Sequence, residues 1–168
     1  MTDAYFDTTI VSAIAKRDTL SETAAIVRIL KADNAGQLRL FTSEVTQEEV
    51  DKYQGEAKPT VEAIYLLMKK ANYVKRQELL GMNVYIDRYT CINSPMIEDD
   101  PLWLDLRKLG LADLDAHHLM VAVKHGCHVF LTTDGDFLDN PTRKATIEAR
   151  YSIRLRRPSE FADEEGLA

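Results

Sequence analysis

The chain has 168 residues, of which 45% are hydrophobic, and this size and composition predict one domain with its own core. The formal net charge of −6 argues against a nucleic-acid partner held by overall charge, because phosphate binding depends on Lys and Arg. The start of the sequence has no basic segment followed by a long apolar run, so we expect neither a secretion signal nor a membrane span, and a cytoplasmic location.

Strands and helices are predicted to alternate along the chain. Short apolar runs bounded by polar residues predict strands at 4–6, 38–41, 129–131 and 153–155. The segment 21–30 has Ala24, Val27 and Leu30 on one helical stripe. The segment 58–80 repeats apolar residues at helical spacing and predicts one long amphipathic helix with at most a single break. This alternation is typical of a parallel sheet flanked by helices on both faces.

Two helices in the middle of the chain have clear start and stop signals. Asp99 or Asp100 can cap the first, Pro101 suits its first turn, and Gly110 follows as a stop. Asp113 is the expected cap of the second helix. The apolar residues that follow it predict a buried helix just before the strand at 129–131.

Acidic residues recur where a predicted strand ends or a helix begins, at Asp7, Glu44, Glu48, Glu49, Asp113, Asp115, Asp134 and Asp136. The carboxyl ends of strands in an open α/β sheet border one crevice, so we expect several of these carboxylates to converge. At about 5 Å and an effective dielectric near 20, each like-charge pair costs roughly 3 kcal/mol, which a divalent cation relieves. Because hard cations prefer oxygen ligands, the pattern predicts a Mg²⁺ or Mn²⁺ site.

Each acid also has a purely structural interpretation. Asp7 can cap a helix, and Asp134 with Gly135 can form a turn. Asp115 lies in a first turn, where the helix dipole should keep it ionised and ready for metal, although acids are common there in any case. Asp136 is the more exposed candidate and has a secondary role. Spacing alone leaves the choice open among Glu44, Glu48 and Glu49.

Other chemistries lack their sequence patterns. The chain has no phosphate-binding loop of the Gly-rich type, no G-x-S-x-G and no H-E-x-x-H. His117 and His118 are adjacent and cannot share one helix face, so they are predicted to be packing or surface residues. Trp103 is predicted to lie in the core. Cys91 and Cys127 form no C-x-x-C pattern and are expected to be ordinary buried thiols in a reducing compartment.

The segment 143–157 is locally basic. Against the single acid Glu148 it contains Arg143, Lys144, Arg150, Arg154, Arg156 and Arg157. These side chains would either meet phosphates beside the acidic pocket or form a solvated helix and edge strand. The sequence leaves both interpretations open.

Taken together, the acidic motifs resemble those of PIN domains, and within that superfamily they are similar to the VapC-type toxin ribonucleases. The matching segments are Y-F-D-T-T at 5–9, S-E-V-T-Q-E-E at 43–49, D-A-H-H-L at 115–119, T-T-D-G-D-F at 132–137 and P-S-E-F at 158–161. The family pattern Ser-x-x-Thr-x-x-Glu corresponds to Ser43, Thr46 and Glu49 and so selects Glu49. Thr9 departs from the family, since many members have Asn at that position.

The resemblance implies an α/β fold, a PIN-like three-layer α/β/α sandwich with a mostly parallel central sheet. We expect a single domain over 1–168, with a helical insertion at about 56–110. The implied activity is that of a divalent-metal-dependent endoribonuclease, a phosphodiester hydrolase that acts on RNA. The implied partners of such a toxin are an antitoxin protein and a second copy of the chain in a homodimer.

The resemblance also assigns roles to particular residues. The expected metal ligands are Asp7, Asp115 and Asp134, with Asp136 as an auxiliary ligand. Glu49 would hold a metal-bound water or a second ion. Thr8 and Thr132 would orient these groups through hydrogen bonds.

Three alternatives remain beside the toxin. One is a PIN-domain nuclease of RNA processing, and another is a PIN module that binds RNA or protein without cleaving. The third is a receiver-like signalling module, which also gathers acids around Mg²⁺ but has a Lys after a late strand. No Lys directly follows the strand at 129–131, which disfavours the receiver.

Overall fold

The computed structural model describes residues 1–16, 20–68, 72–74 and 100–168. The first part of the chain forms β1 (Thr2–Phe6), α1 (Thr8–Lys16), α2 (Leu20–Asn34), β2 (Leu38–Ser43), α3 (Glu44–Lys52), α4 (Lys58–Met68) and β3 (Asn72–Val74). The second part forms α5 (Pro101–Lys108), α6 (Asp113–Lys124), β4 (Val129–Leu131), α7 (Gly135–Leu138), α8 (Pro141–Tyr151), β5 (Arg154–Arg156) and α9 (Pro158–Glu164).

The strands form one parallel sheet in the order β3-β2-β1-β4-β5. β1 is central, and its Tyr5 lies opposite Phe41 of β2 on one side and Phe130 of β4 on the other. From β1 the chain builds the sheet outward through β2 and β3, and then returns to the other side of β1 through β4 and β5. The carboxyl ends of β1 and β4 therefore border the switch point, where open α/β sheets place their ligands.

Successive side chains of the central strand β1 belong alternately to two separate hydrophobic cores. Ala4 and Phe6 of β1 belong to the core that contains residues of α1, α2, α4 and α9. Tyr5, between them, belongs to the core that contains residues of α5, α6 and α8. Because β1 is buried on both faces, its sequence is a continuous apolar run and does not alternate between apolar and polar residues. The arrangement is a three-layer α/β/α sandwich, as the sequence predicts.

The predicted helix over 58–80 is wrong at Asn72–Val74, and residues 69–71 and 75–80 lie outside the described residues. α4 ends at Met68, and Asn72–Val74 pairs in parallel with β2 as the edge strand β3. Three residues of pairing are too short to leave a periodic signal, so the sequence pattern did not reveal this strand. Of the helical insertion expected at about 56–110, the described part contains α4, β3 and α5, and the rest lies outside the described residues.

The apolar stripe predicted for α2 is also wrong. Val27 is 45% exposed and Ala24 is exposed as well, whereas Ala25, Ile26 and Ile29 are buried. The helix is apolar on adjacent stripes, so either could face the core. Its packing against α9 and β2 selects the buried one.

The predicted N-terminal cap is confirmed for α5 and is wrong for α6. Asp100 caps α5 by accepting the Leu102 backbone N–H at 2.9 Å. α6 begins after Ala112, which makes no side-chain cap, so the prediction that Asp113 caps this helix is wrong. Asp113 is instead its first residue and is exposed. Among the described helices, none is both long and apolar enough to span a bilayer.

Candidate metal centre

Three aspartates converge at the carboxyl edge of the sheet. Asp115 comes from the first turn of α6, Asp134 caps α7 after β4, and Asp136 lies in the first turn of α7. One carboxylate oxygen of each lies within 4.8 Å of the others, which is close enough for a shared metal ion. The Asp136 backbone N–H donates to Asp134 Oδ1 at 2.8 Å and so holds the short α7 in place. Asp136 is exposed, as expected, and the other two are partly buried.

The carboxylates oppose one another's ionisation. Burial raises the pKa of Asp115, and the neighbouring charge of Asp134 raises it further, with smaller contributions in the same direction from Asp136 and Glu49. In the metal-free protein, burial and like charges thus oppose the ionisation of Asp115 that the helix dipole favours. A cation bound between these oxygens would reverse the balance, and the donor set suits a hard divalent ion.

Asp7 lies beside this group, at the end of β1, and is only 3% exposed. Its Oδ1 accepts the Thr9 hydroxyl at 2.5 Å and the backbone N–H groups of Thr9 and Ile10 at 2.9 and 3.4 Å. Burial raises the pKa of Asp7 to about 6, although His118, Thr132 and these hydrogen bonds oppose the rise. Asp7 thus caps α1 and also borders the crevice. Among the described residues the three-carboxylate group does not extend to Asp7.

Thr132 connects Asp7 with the aspartate group. Its hydroxyl oxygen accepts the Asp134 backbone N–H at 2.9 Å and lies 3.3 Å from the Thr9 hydroxyl, and its side chain also hydrogen-bonds to Asp7. Thr132 is fully buried, so these polar contacts replace water. The contacts join the ends of β1 and β4, where the switch point lies.

Glu49 is oriented toward the same crevice from α3. Its Oε2 accepts a hydrogen bond from the Thr8 hydroxyl and lies 2.6 Å from His118 Nε2. Burial raises the pKa of Glu49, but the hydrogen bonds from His118 and Thr8 oppose burial, and the pKa is lowered overall. Glu48 is 45% exposed at its side chain and lies 3.8 Å from Lys52 on the helix surface. The geometry therefore distinguishes Glu49 from Glu48, as the motif does.

His118 is the site residue that the sequence interpretation missed. It is 3% exposed, and its two ring nitrogens contact Glu49 Oε2 at 2.6 Å and the Tyr5 hydroxyl at 2.8 Å. Both histidines are buried and pack as predicted, His117 stacked on Trp103 at 5.6 Å and His118 edge-on to Tyr5 at 5.9 Å between ring centroids, but the prediction did not include the hydrogen bonds of His118. The spacing of three residues from Asp115 puts both on one helix face, and this spacing was an available signal together with the D-A-H-H-L match at 115–119.

The basic segment is mostly engaged within the molecule. Its pairs are Arg150 with Asp105 at 2.6 Å, Arg154 with Glu164 and Glu165 at 2.9 Å, Arg156 with Glu148 at 2.5 Å and with Glu164 at 2.7 Å, and Arg157 with Asp139 at 3.5 Å. Arg143 donates to the backbone carbonyls of Gly110 and Asp136. These contacts favour the structural interpretation, and Arg143 in addition fixes the turn that carries Asp136.

The sequence matches no protein-family model and no curated protein sequence. The described strands lie in the order 3-2-1-4-5, whereas the strands of a receiver-like module lie in the order 2-1-3-4-5. The strand order therefore distinguishes this fold from a receiver. The fold and site together define an α/β protein with an acidic group at the switch point of its sheet.

Proposed function

We propose that this protein is a divalent-metal-dependent endoribonuclease of the PIN type, which hydrolyses RNA phosphodiester bonds with Mg²⁺ or Mn²⁺. The observation that carries the proposal is the convergence of Asp115, Asp134 and Asp136 within 4.8 Å at the switch point of the sheet. Two further acids, Asp7 and Glu49, border the same crevice from β1 and α3. Phosphodiester hydrolysis by metal-dependent nucleases needs this kind of carboxylate cluster.

Each group has a role in the proposed reaction. Asp115, Asp134 and Asp136 hold the cation, and Asp7 adds a carboxylate from the buried side. Glu49 would orient a water for attack or help to hold a second ion. A bound divalent cation supplies an activated water and neutralises charge that develops at phosphorus.

The threonines orient these carboxylates. Thr8 donates to Glu49, and Thr132 holds the backbone of Asp134 while it contacts Asp7. Such outer contacts fix ligand direction and raise metal affinity. They supply the supporting hydrogen bonds that the proposed site needs.

The biological role in this proposal rests on the motif resemblance. We propose that the protein is the toxin of a toxin-antitoxin pair, that it forms a homodimer, and that an antitoxin protein blocks the acidic crevice. The buried free thiol of Cys127 fits a reducing cytoplasm. An antitoxin-like reading frame next to the gene would support the toxin role, and its absence would favour a nuclease of RNA processing.

RNA cleavage tests the activity. Wild type, Asp115→Asn and Asp134→Asn are incubated with structured and single-stranded RNA in Mg²⁺, in Mn²⁺ and with chelator. Asp113→Asn is the matched control, because Asp113 is an exposed acid on the same first turn but outside the cluster. We expect metal-dependent cleavage by wild type and the control only. Equal cleavage by all variants would reject the site.

Metal binding is measured separately by calorimetry with Mn²⁺. Binding by wild type, lost in Asp115→Asn, without cleavage of any RNA tested would replace the nuclease with a PIN-like module that binds RNA or protein. Absence of both binding and cleavage would reject the metal centre itself.

A further inference from the structure

We propose that His118 is a positioning residue that holds Glu49 in one orientation, and that Tyr5 and Ser43 keep His118 in the tautomer with its proton on Nε2. The consequence for RNA cleavage rests on the proposed function. The tautomer and the orientation of Glu49 are properties of the folded chain and are tested without substrate.

A continuous chain of polar contacts leads to Glu49 from the start of α3. The Val45 backbone N–H donates to Ser43 Oγ at 3.2 Å, and Ser43 Oγ lies 2.7 Å from the Tyr5 hydroxyl. That hydroxyl lies 2.8 Å from His118 Nδ1, and His118 Nε2 lies 2.6 Å from Glu49 Oε2. Tyr5, Ser43 and His118 are each at most 3% exposed, so water does not substitute for these partners.

The direction of the hydrogen bonds follows from the available acceptors. The Glu49 carboxylate oxygen can only accept, so His118 Nε2 carries the proton that it donates, and a neutral ring then accepts at Nδ1. The Ser43 and Tyr5 hydroxyls, 2.7 Å apart, can both direct their protons along the chain toward that nitrogen. The Tyr5 proton is then directed to His118 Nδ1 at 2.8 Å rather than to Thr46 at 3.4 Å. Burial raises the pKa of Tyr5 above its usual range, so the phenol keeps this proton. Nδ1 therefore accepts, and the ring proton lies on Nε2.

At the other end, both donors reach the same oxygen of Glu49. The Thr8 hydroxyl and His118 Nε2–H converge on Oε2, and among the described residues Oε1 has no hydrogen-bond partner. The carboxylate is thereby held by one oxygen while the other is left for a ligand. The side chain keeps 26% exposure, so that oxygen can reach the crevice. A carboxylate fixed in this way loses less freedom when it orients a water.

Nitrogen NMR of the metal-free protein tests the tautomer. Long-range ¹H–¹⁵N spectra of ¹⁵N-histidine protein at neutral pH are compared for wild type, Tyr5→Phe and Ser43→Ala, with His118→Gln used to assign the signal. We expect Nε2 to be protonated and Nδ1 unprotonated in wild type, and Tyr5→Phe to change the Nδ1 signal. Phe retains the stacking of ring 5 on Phe130, so the variant should fold. Protonation of Nδ1 in wild type, alone or with Nε2, would overturn the proposal.

Cleavage kinetics test the positioning role. We expect His118→Leu to lower kcat by about 10- to 100-fold with little change in KM, as for other residues that orient a ligand or base. His118→Gln, which retains an N–H donor near the Nε2 position, should recover much of this loss. His125→Gln is the control, because His125 is exposed at the other end of α6. Equal loss in the Leu and Gln variants would overturn the role.

A double-mutant cycle shows whether His118 acts through Glu49. On a Glu49→Ala background, His118→Leu should cause no further loss of kcat, because the group that it positions is gone. Additive losses would overturn the proposal. If wild type shows no cleavage, the proposed function fails, whereas the NMR result still decides the tautomer. If His118→Leu fails to fold, Tyr5→Phe and His118→Gln carry the kinetic comparison.

Discussion

The hydroxyl of Thr9 donates to Asp7 Oδ1 over 2.5 Å in the first turn of α1. The same hydroxyl oxygen accepts the Thr133 backbone N–H at 3.0 Å. Thr9 therefore ties the end of β1 to the segment after β4. In the motif that the sequence resembles, this position is often Asn, and here the Thr9 hydroxyl donates to the buried carboxylate of Asp7.

The buried Asp7 makes the stability of the metal-free protein depend on pH. Its pKa is raised to about 6 from the ordinary 3.8. Between about pH 4 and pH 6 the folded state holds a proton that the unfolded chain has released, so stability falls as pH rises through this window. The loss should be about 3 kcal/mol for Asp7.

Asp7→Asn, which mimics the protonated acid, should remove this dependence. We expect it to match wild type near pH 4 and to exceed it at pH 7 in urea unfolding with chelator. Asp51→Asn is the control, because Asp51 is exposed. An unchanged difference between Asp7→Asn and wild type at the two pH values would contradict the prediction.

Asp115→Asn should stabilise the metal-free protein and at the same time remove the stabilisation that a divalent metal ion gives. Removal of one like charge from the cluster should raise the melting temperature in chelator by about 2–4 °C, the shift that roughly 1 kcal/mol produces in a chain of this size. The rise that Mg²⁺ or Mn²⁺ produces in wild type should be lost.

Asp113→Asn should retain that metal-induced rise. Without metal it should melt slightly lower than wild type, because an acid in the first turn of a helix interacts favourably with the dipole. Thermal melts with chelator and with metal measure both effects. A metal-induced rise that survives in Asp115→Asn would argue against this residue as a ligand.

Glu22 is a buried acid that serves the fold rather than the site. Its carboxylate accepts the Ser159 backbone N–H at 3.0 Å and the Ser159 hydroxyl at 2.6 Å, which joins α2 to the start of α9. Glu22→Ala leaves both donors without a partner and should cost about 1–3 kcal/mol per donor. Asp163→Asn, which removes an exposed ion pair with Arg28, should cost under about 1 kcal/mol. Urea unfolding compares the two, and equal losses would contradict the assignment.

Arg143 should influence metal affinity without contacting the ion. Its guanidinium bridges the carbonyls of Gly110 and Asp136, so Arg143→Met should loosen α7 and weaken Mn²⁺ binding by about tenfold. Lys144→Met removes a neighbouring positive charge without these contacts and should leave affinity nearly unchanged. Calorimetry measures both variants. A similar loss in both would indicate an effect of net charge alone.

Local patterns in the sequence indicated most of the sheet but not its edge. Apolar runs located β1, β2, β4 and β5 to within a few residues, because buried parallel strands need continuous apolar segments. β3 consists of Asn72–Val74 and depends on pairing with β2, so no periodic pattern marked it. The buried stripe of α2 likewise depended on packing, since Ala24 and Ala25 are equally apolar and only one faces the core.

The positions of the acids after strands and at helix starts could be predicted from the sequence, because strand and helix ends are marked by local residue types. The parallel α/β character could be predicted as well, from the alternation of elements. The folded chain was needed to show that carboxylate oxygens of Asp115, Asp134 and Asp136 lie within 4.8 Å of one another. It was also needed to show that His118 contacts Glu49, 69 positions away. Contacts between distant segments depend on how helices pack on the sheet, and spacing along the chain carries no record of that packing.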